Sequence, residues 1–273
     1  MNKSIVLLGA SSFIAANFIK KYNKYNIKAV TRKILDEHVN SENLIWYECD
    51  INSKEGLLKI FNNDDIVINC AYSNNGIVEN LHLIENIIQC ANKKNIKKLI
   101  HFSTAVVVGS QKSKVISEDV KCNPVTKYQK DKLGLESHLL NASLNFNLII
   151  LRPTAVFGDG GKNLIKNIVS SKKNRLIIDM LKVLILGNRH MHLISVENVT
   201  KTIDFFINDD ANFKSEIFFV SQDMDSFNYY KNVYPKIFSS INKRDFSYLS
   251  NFALPRVFLI FLFKIFRKRY EEI

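Results

Sequence analysis

From Lys3 to Pro153 the chain alternates short apolar runs with stretches of helical spacing. "KSIVLLG" is an unbroken apolar run closed by Gly9, and from Phe13 apolar residues recur at helical intervals. "NIKAVTR", "NLIWYECD" and "DDIVINCAY" supply a second, third and fourth strand. Between the last two, "NSKEGLLKIFNN" has helical spacing behind a cap at Asn52 or Ser53. "GIVENLHLIENIIQCANKKN" predicts a long amphipathic helix with Ile77, Leu81, Ile84, Ile88 and Ala91 on one face. "IKKLIHFST" is another strand, a loop passes through Pro124, "VTKYQKDKLGLESHLLNA" is a helix, and "FNLIILRP" closes the series.

Strands that are apolar throughout, separated by helices, are buried on both faces, which implies a parallel sheet. Right-handed crossovers then give an α/β doubly wound sheet with its ligand crevice at the carboxyl ends of the strands. Gly9, Arg32, Asp50, Ala71 and Thr104 fall at or just after such ends. After Pro153 the alternation loosens. "GDGGK" lacks the Lys-Ser/Thr ending of a phosphate loop and is expected to be a flexible connector. The expected division is a dinucleotide-binding domain over 1–152 and a small C-terminal substrate lobe over 153–273, with 190–210 returning to the main domain.

Composition narrows the setting. The chain has 273 residues, 47% of them hydrophobic and 4 of them proline, so it can bury a sizeable core. Its net charge of +12 favours anionic partners. The lysines are scattered and no nucleic-acid-binding motif is present, so nucleic acid is not an expected partner. Cys49, Cys70, Cys90 and Cys122 are widely spaced without a Cys-x-x-Cys pair, which points to a reducing cytoplasm. "MNKS" before the first strand is too short for a signal peptide, and the expectation is a cytoplasmic protein.

Candidate chemistry begins with "KYQKDK", which sets Tyr128 and Lys132 four apart on one helix face. The helix follows "FSTAVVVG" and precedes "LRPTAVFG". Together with the glycine turn of "LLGASSFIAANF", these residues make the chain resemble an extended short-chain dehydrogenase/reductase of the nucleotide-sugar epimerase/dehydratase group. "ENLHLIEN", with Asn80, and "HLISVENV" resemble further family segments, so the resemblance runs from residue 3 to about 200. It implies Thr104, Tyr128 and Lys132 as catalytic residues. Tyr128 would be the general acid/base, Lys132 its pKa tuner and ribose anchor, and Thr104 a hydrogen-bond partner of the reacting oxygen. A free phenol near pKa 10 is a poor base at neutral pH, and a nearby ammonium group lowers it. Asn80 and Arg189 would join Thr104 in holding the substrate.

The cofactor loop departs from the family pattern. Gly9 keeps the turn, but Ser12 and Ala15 stand where second and third glycines are usual. Ser12 is small, its hydroxyl offers a donor to phosphate, and a helix N-terminus still presents free N–H groups to an anion. The dinucleotide would touch Gly9, Ser11, Ser12, Phe13, Ile14, Thr31, Arg32, Asp50, Ile51, Ala71, Tyr128, Lys132 and Pro153. "AVTRK" ends the second strand without a carboxylate; Thr31, Arg32 and Lys33 suit a 2′-phosphate, favouring NADP with NAD as the alternative.

Other departures bear on substrate. Ala105 and Val106 replace the Asp-Glu pair of dehydratases, leaving 4-keto reduction or C4 epimerisation. Val108 stands where a tyrosine is usual, and Met191 occupies the slot of a diphosphate-binding arginine, with Arg189 two residues earlier. His190 and His192 have no third ligand in view, so no metal is expected. The tail "LPRVFLIFLFKIFRKRY" is apolar from Val257 to Phe263 and then basic, too short to span a bilayer. It reads either as a packed or dimer-forming helix or, over 255–270, as a peripheral contact with the inner face of the cytoplasmic membrane. Two substrate carriers therefore stay open, a nucleotide sugar for surface polysaccharide and a polyprenyl-diphosphate-linked sugar at the membrane. A homodimer is what the resemblance implies. A dinucleotide-binding sensor or scaffold without catalysis is the third reading, and it has no use for Thr104, Tyr128 and Lys132 together.

Overall fold

The computed structural model describes residues 3–111, 113, 115–161, 183–212, 214–224, 226–242 and 247–252. Among them the chain forms two compact units, one of the described residues up to Thr154 with Ser195–Val220 and the other of those within Ala155–Ile194 and from Ser221 onward.

The first unit is built on seven parallel strands: β1 (Ser4–Leu8), β2 (Asn26–Thr31), β3 (Leu44–Glu48), β4 (Ile66–Asn69), β5 (Lys98–Phe102), β6 (Asn147–Pro153) and β9 (Ser215–Val220). Their order, β3-β2-β1-β4-β5-β6-β9, reverses direction at β1, which is the doubly wound arrangement expected from the alternation of runs. β6 does not close the series, however. Its far edge is paired by β9, with Arg152 beside Phe219 and Pro153 beside Val220. "SEIFFV" is a strand whose pairing partner lies about 65 residues earlier, and no local pattern shows that return.

Helices α1 (Phe13–Lys21), α2 (Lys54–Ile60), α3 (Ile77–Lys94), α4 (Lys127–Asn141) and α5 (Val196–Asn208) complete the unit. Alternate strand residues Val6, Leu8, Val30, Val67, Leu99, Leu148 and Ile150 join one buried cluster with Leu57, Ile84, Ile87, Leu135 and Leu139 from α2, α3 and α4. On α3 the buried face is Leu83, Ile84, Ile87, Ile88, Cys90 and Ala91, while Ile77 and Leu81 of the expected stripe are half-buried. The stripe is displaced because α3 packs against α2 and α4 as well as the sheet. Separately, α1 packs against α5. Helix starts follow their caps: Ser53, of the two residues proposed, accepts the Gly56 N–H at 3.2 Å and opens α2.

The second unit holds β7 (Ala155–Phe157) paired with β8 (Leu193–Ser195), and α6 (Tyr230–Asn242). Asn228 is buried there and clamps β8, accepting the Leu193 N–H at 2.7 Å and donating to the Leu193 carbonyl at 2.8 Å. His192 donates through Nδ1–H to the Asp223 carboxylate at 2.7 Å, and His190 lies against Tyr229. No cluster of three metal-ligating side chains occurs among the described residues. None of the described helices is long and apolar enough to cross a membrane. The apolar and basic segment 255–270 lies outside the described residues.

Candidate active site

Backbone geometry at the end of β1 starts the site. Gly9 has φ +71°, and a Cβ placed there would stand 2.9 Å from the backbone of Ala71. Only glycine lets the β1 and β4 ends approach so closely. Ser12 then serves as the N-cap residue of α1, but its side chain makes no capping bond, and the first turn carries no acidic residue. The first-turn N–H groups are therefore left for an anion. Ser12 Oγ is itself buried without a regular hydrogen-bond partner. A glycine turn too tight for a side chain and an uncapped helix start, with the Ser12 hydroxyl in contact only with the Cys70 thiol, together fit a bound pyrophosphate.

Around this turn lies a crevice of ≈ 420 Å³, whose walls include Gly9, Ser11, Ser12, Thr31, Arg32, Asp50, Ile51 and Ala71. Eight residues named from sequence for the dinucleotide thus meet in one place. Lys33, Cys70, Tyr72, Ser73 and Glu79 line it as well. Ser11 and Thr31 hydroxyls hydrogen-bond each other at 3.0 Å, joining the first turn to the end of β2. Arg32 and Lys33 follow at the exposed lip. Asp50 Oδ1 accepts the Asn52 N–H at 3.0 Å. Phe13 and Ile14, half-buried in the first turn of α1, Pro153, buried at the end of β6, and Tyr128 and Lys132 on α4 are not among the lining residues.

Behind the crevice a polar chain fixes the β4 end. Asn69 Oδ1 accepts the Ala71 N–H at 3.0 Å, and Asn69 Nδ2 lies 3.1 Å from His101 Nδ1. Burial, reinforced by the Lys132 charge, holds His101 down at about 3, so its ring is neutral. Burial pushes the Cys70 thiol up to about 12, opposed by the Ser12 hydroxyl and the Lys132 charge. Asn80, expected to hold substrate, is 1% exposed. Its Oδ1 accepts the Ser73 N–H at 2.8 Å, and its Nδ2 donates to the carbonyls of Ser73 (2.7 Å) and Gly76 (2.8 Å). Both its N–H donors are committed, so Asn80 staples the loop after β4 and is not turned toward a ligand.

The Tyr-x-x-x-Lys helix begins at a capping box. Thr126 Oγ1 accepts the Gln129 N–H at 3.2 Å and Gln129 Oε1 accepts the Thr126 N–H at 3.0 Å, which places Tyr128 in the first turn of α4. Thr104 caps the short turn Ala105–Val108, which packs against α4. Lys132 is buried, donates to the Phe102 carbonyl at 3.0 Å, and holds its ammonium 4.4 Å from the centre of the Tyr72 ring. Tyr72 in turn meets Tyr128 edge-on, with ring centres 5.8 Å apart. Desolvation lowers Lys132 to about 8, partly offset by Cys70 and Glu136. The Tyr128 phenol is raised, first by partial desolvation and then by Tyr72, although the residue as a whole is 46% exposed. The expected lowering of Tyr128 by Lys132 is therefore not a property of the chain alone. The ammonium is engaged by the Phe102 carbonyl and Tyr72, and makes no hydrogen bond to Tyr128.

Two features of the site are not among the residues expected from sequence. Tyr72 is a lone aromatic after Ala71 whose importance comes only from where β4 and α4 meet. Glu136 and Arg152 form a buried two-point ion pair, Nε to Oε1 at 3.0 Å and Nη2 to Oε2 at 2.6 Å, tying α4 to β6. Spacing does hint at Glu136, four residues beyond Lys132 on the same face. Arg189 belongs to the second unit, with its side chain exposed and its carbonyl accepting the Tyr230 N–H at 3.0 Å.

Comparison with known proteins gives a consistent picture. The model of the NAD dependent epimerase/dehydratase family matches residues 5–221. The N-acetyl-alpha-D-glucosaminyl-diphospho-ditrans,octacis-undecaprenol 4-epimerase of Escherichia coli O157:H7 is 25% identical over 189 residues, 63% of this chain and 56% of that protein. The decarboxylating sterol-4-alpha-carboxylate 3-dehydrogenase of Candida albicans is 20% identical over 194 residues, 63% of this chain and 55% of that protein. The matches thus span little more than half the length of these curated relatives. Among solved structures, the Bordetella bronchiseptica enzyme WbmG in complex with NAD and UDP superposes with a TM-score of 0.66 at 15% identity, covering 89% of this chain and 79% of that one. The UDP-N-acetylglucosamine 4-epimerase of Bacillus cereus gives 0.60 at 17% identity, over 81% and 78%. At such identities the likeness to these structures is one of fold. With the family match running over most of the chain, the protein belongs to the NAD dependent epimerase/dehydratase family.

Proposed function

We propose that this chain is an NAD(P)-dependent oxidoreductase or epimerase of an activated sugar, acting by 4-keto reduction or C4 epimerisation of a nucleotide sugar. The observation that carries the reading is the joining of the crevice at Gly9 to Tyr128 and Lys132 within one unit, through Tyr72. The nicotinamide would supply the hydride acceptor and donor. Gly9, Ser11 and Ser12 would hold the pyrophosphate on the start of α1, and Asp50, Ile51 and Ala71 would line the adenosine side. Tyr128 would take the proton from the sugar hydroxyl or return it, and Thr104 would hydrogen-bond the same oxygen. Arg32 and Lys33, on the lip of the crevice, support NADP over NAD, because a 2′-phosphate needs cations where a carboxylate would serve the free ribose hydroxyl. Arg189 remains the candidate for the substrate's diphosphate.

A lipid-linked sugar at the inner face of the membrane is the second reading. It is supported by the similarity to an epimerase whose named substrate is undecaprenol-linked. Met191 in place of an arginine, and the basic tail at 255–270, point the same way.

The test is to identify by mass spectrometry any dinucleotide released on denaturing the purified protein, then to titrate NADP and NAD into the wild type and Tyr128→Phe. NADP should bind about tenfold more tightly than NAD, and Tyr128→Phe should bind as the wild type does while losing turnover of UDP-sugars or their polyprenyl-linked counterparts. Tightly held NAD would overturn the role given to Arg32. Absence of binding by either nucleotide would overturn the enzymatic reading.

A further inference from the structure

Tyr72 meets both of the residues on which the proposed chemistry rests. Its ring face takes the Lys132 ammonium at 4.4 Å, its edge meets Tyr128, and it lines the crevice. The backbone on its C-terminal side is stapled by Asn80, whereas the Tyr72 hydroxyl makes no hydrogen bond among the described residues. A fixed loop thus carries a half-buried side chain that packs against the margin of the core and is held by ring contacts, without a hydrogen bond. Lys132 has one N–H committed to the Phe102 carbonyl and its charge over the ring, so it reaches into the crevice only if that contact is given up.

We propose that Tyr72 is a positioning residue that holds the Lys132 ammonium away from Tyr128 and swings aside when a dinucleotide enters the crevice. The inference rests on the dinucleotide-binding reading of the site and adds its regulation. Until the dinucleotide arrives, Tyr128 keeps its proton: a phenol is protonated at neutral pH, partial desolvation of this half-exposed residue and the neighbouring phenol both raise it, and the ammonium is engaged elsewhere. Displacing Tyr72 frees Lys132 and removes one of those two causes, so the base is switched on only in a loaded site. The other ionisable groups about this trio are Cys70 after β4, Glu79 on α3, His101 on β5, and Asp131 and Glu136 on α4. Cys70 and His101 are neutral at pH 7, and Glu136 is neutralised by Arg152. Asp131 raises Tyr72.

The experiment compares wild type, Tyr72→Ala and Tyr72→Phe by dinucleotide titration and by NMR titration of labelled tyrosine, with Tyr128→Phe assigning the Tyr128 signal. In Tyr72→Ala the dinucleotide should bind about threefold to thirtyfold more tightly, the range of a cation–π contact from exposed to desolvated. The Tyr128 midpoint should fall by about one unit in the same variant. Tyr72→Phe keeps the ring and should bind as the wild type does, with a Tyr128 midpoint lowered by loss of the second phenol alone. Weaker binding in Tyr72→Ala would make the ring a platform for the cofactor and overturn the gate. So would an unchanged affinity with an unchanged Tyr128 midpoint. If all three proteins fail to bind dinucleotide, the proposed function falls and the gate falls with it, a result distinct from binding that is indifferent to Tyr72.

Discussion

Lys132 brings an ammonium group into surroundings that leave it 6% exposed, and the cost shows in its lowered pKa of about 8 against an ordinary 10.5. A lysine depressed in the folded state costs stability while both states are protonated, and stability rises with pH where the unfolded chain holds more protons. That cost is complete below pH 8 and is relieved as pH rises from about 8 to 10.5. Its upper bound is about 3 kcal/mol, reduced by the Phe102 hydrogen bond and the Tyr72 contact. Lys132→Met keeps the length of the stem without the charge. It should raise the thermal midpoint at pH 7 by about 2–4 °C, and the gap should close toward pH 10.5. Melting curves across that range check it, and a variant less stable than wild type at pH 7 would show that the ammonium is a structural asset. At this scale the sequence is informative about pairs that helical spacing brings together, Tyr128 with Lys132 among them. It says nothing of Tyr72, nor of the commitment of Asn80 to its own loop. Both depend on where a strand end and a helix start meet in space, and sequence spacing does not encode that.

At the level of elements, the helices that carry or frame the site are set by their first residues. Thr126 and Gln129 form a reciprocal cap that fixes where α4 begins, and Tyr128 sits inside the turn they define. The glycine turn at Gly9 and a cap at Asn52 or Ser53 are legible in the sequence alone, whereas the reciprocal Thr126–Gln129 cap emerges from the structure. Thr126→Ala removes one acceptor from the first turn, at a cost of about 1 kcal/mol. The global midpoint should fall by about 2 °C, and amide exchange should quicken over the first turn of α4 while α3 stays protected. Equal loss of protection along both helices would mean that the cap supports the whole layer and not Tyr128's turn. The C-terminal part of α4 needs no such cap, because the Glu136–Arg152 pair and Leu135 and Leu139 hold it to the sheet.

For the molecule as a whole, the alternation of apolar runs is enough to predict six strands and the doubly wound order, but not the seventh. After Thr154 the chain leaves the first unit and comes back as α5 and β9. These late elements complete groups laid down at the start. Lys98, buried in β5, donates at 2.6 Å to the carbonyls of Phe206 and Asp209, and Lys3 donates to the Ile207 carbonyl at 2.6 Å. β9 pairs the edge of β6, and α5 covers α1. A fragment ending at Gly161 would contain nearly every residue of the proposed dinucleotide site, yet it would strand a buried ammonium and bare a long apolar strand edge. Removing the acceptors of a buried charge costs several kcal/mol, a large share of the stability of an ordinary domain. The fragment should show no cooperative melting transition and should aggregate through β6, whereas the full chain should melt cooperatively. A cooperative transition in fragment 1–161, followed by circular dichroism, would mean that the dinucleotide half is self-sufficient and that α5 and β9 are accessory to it.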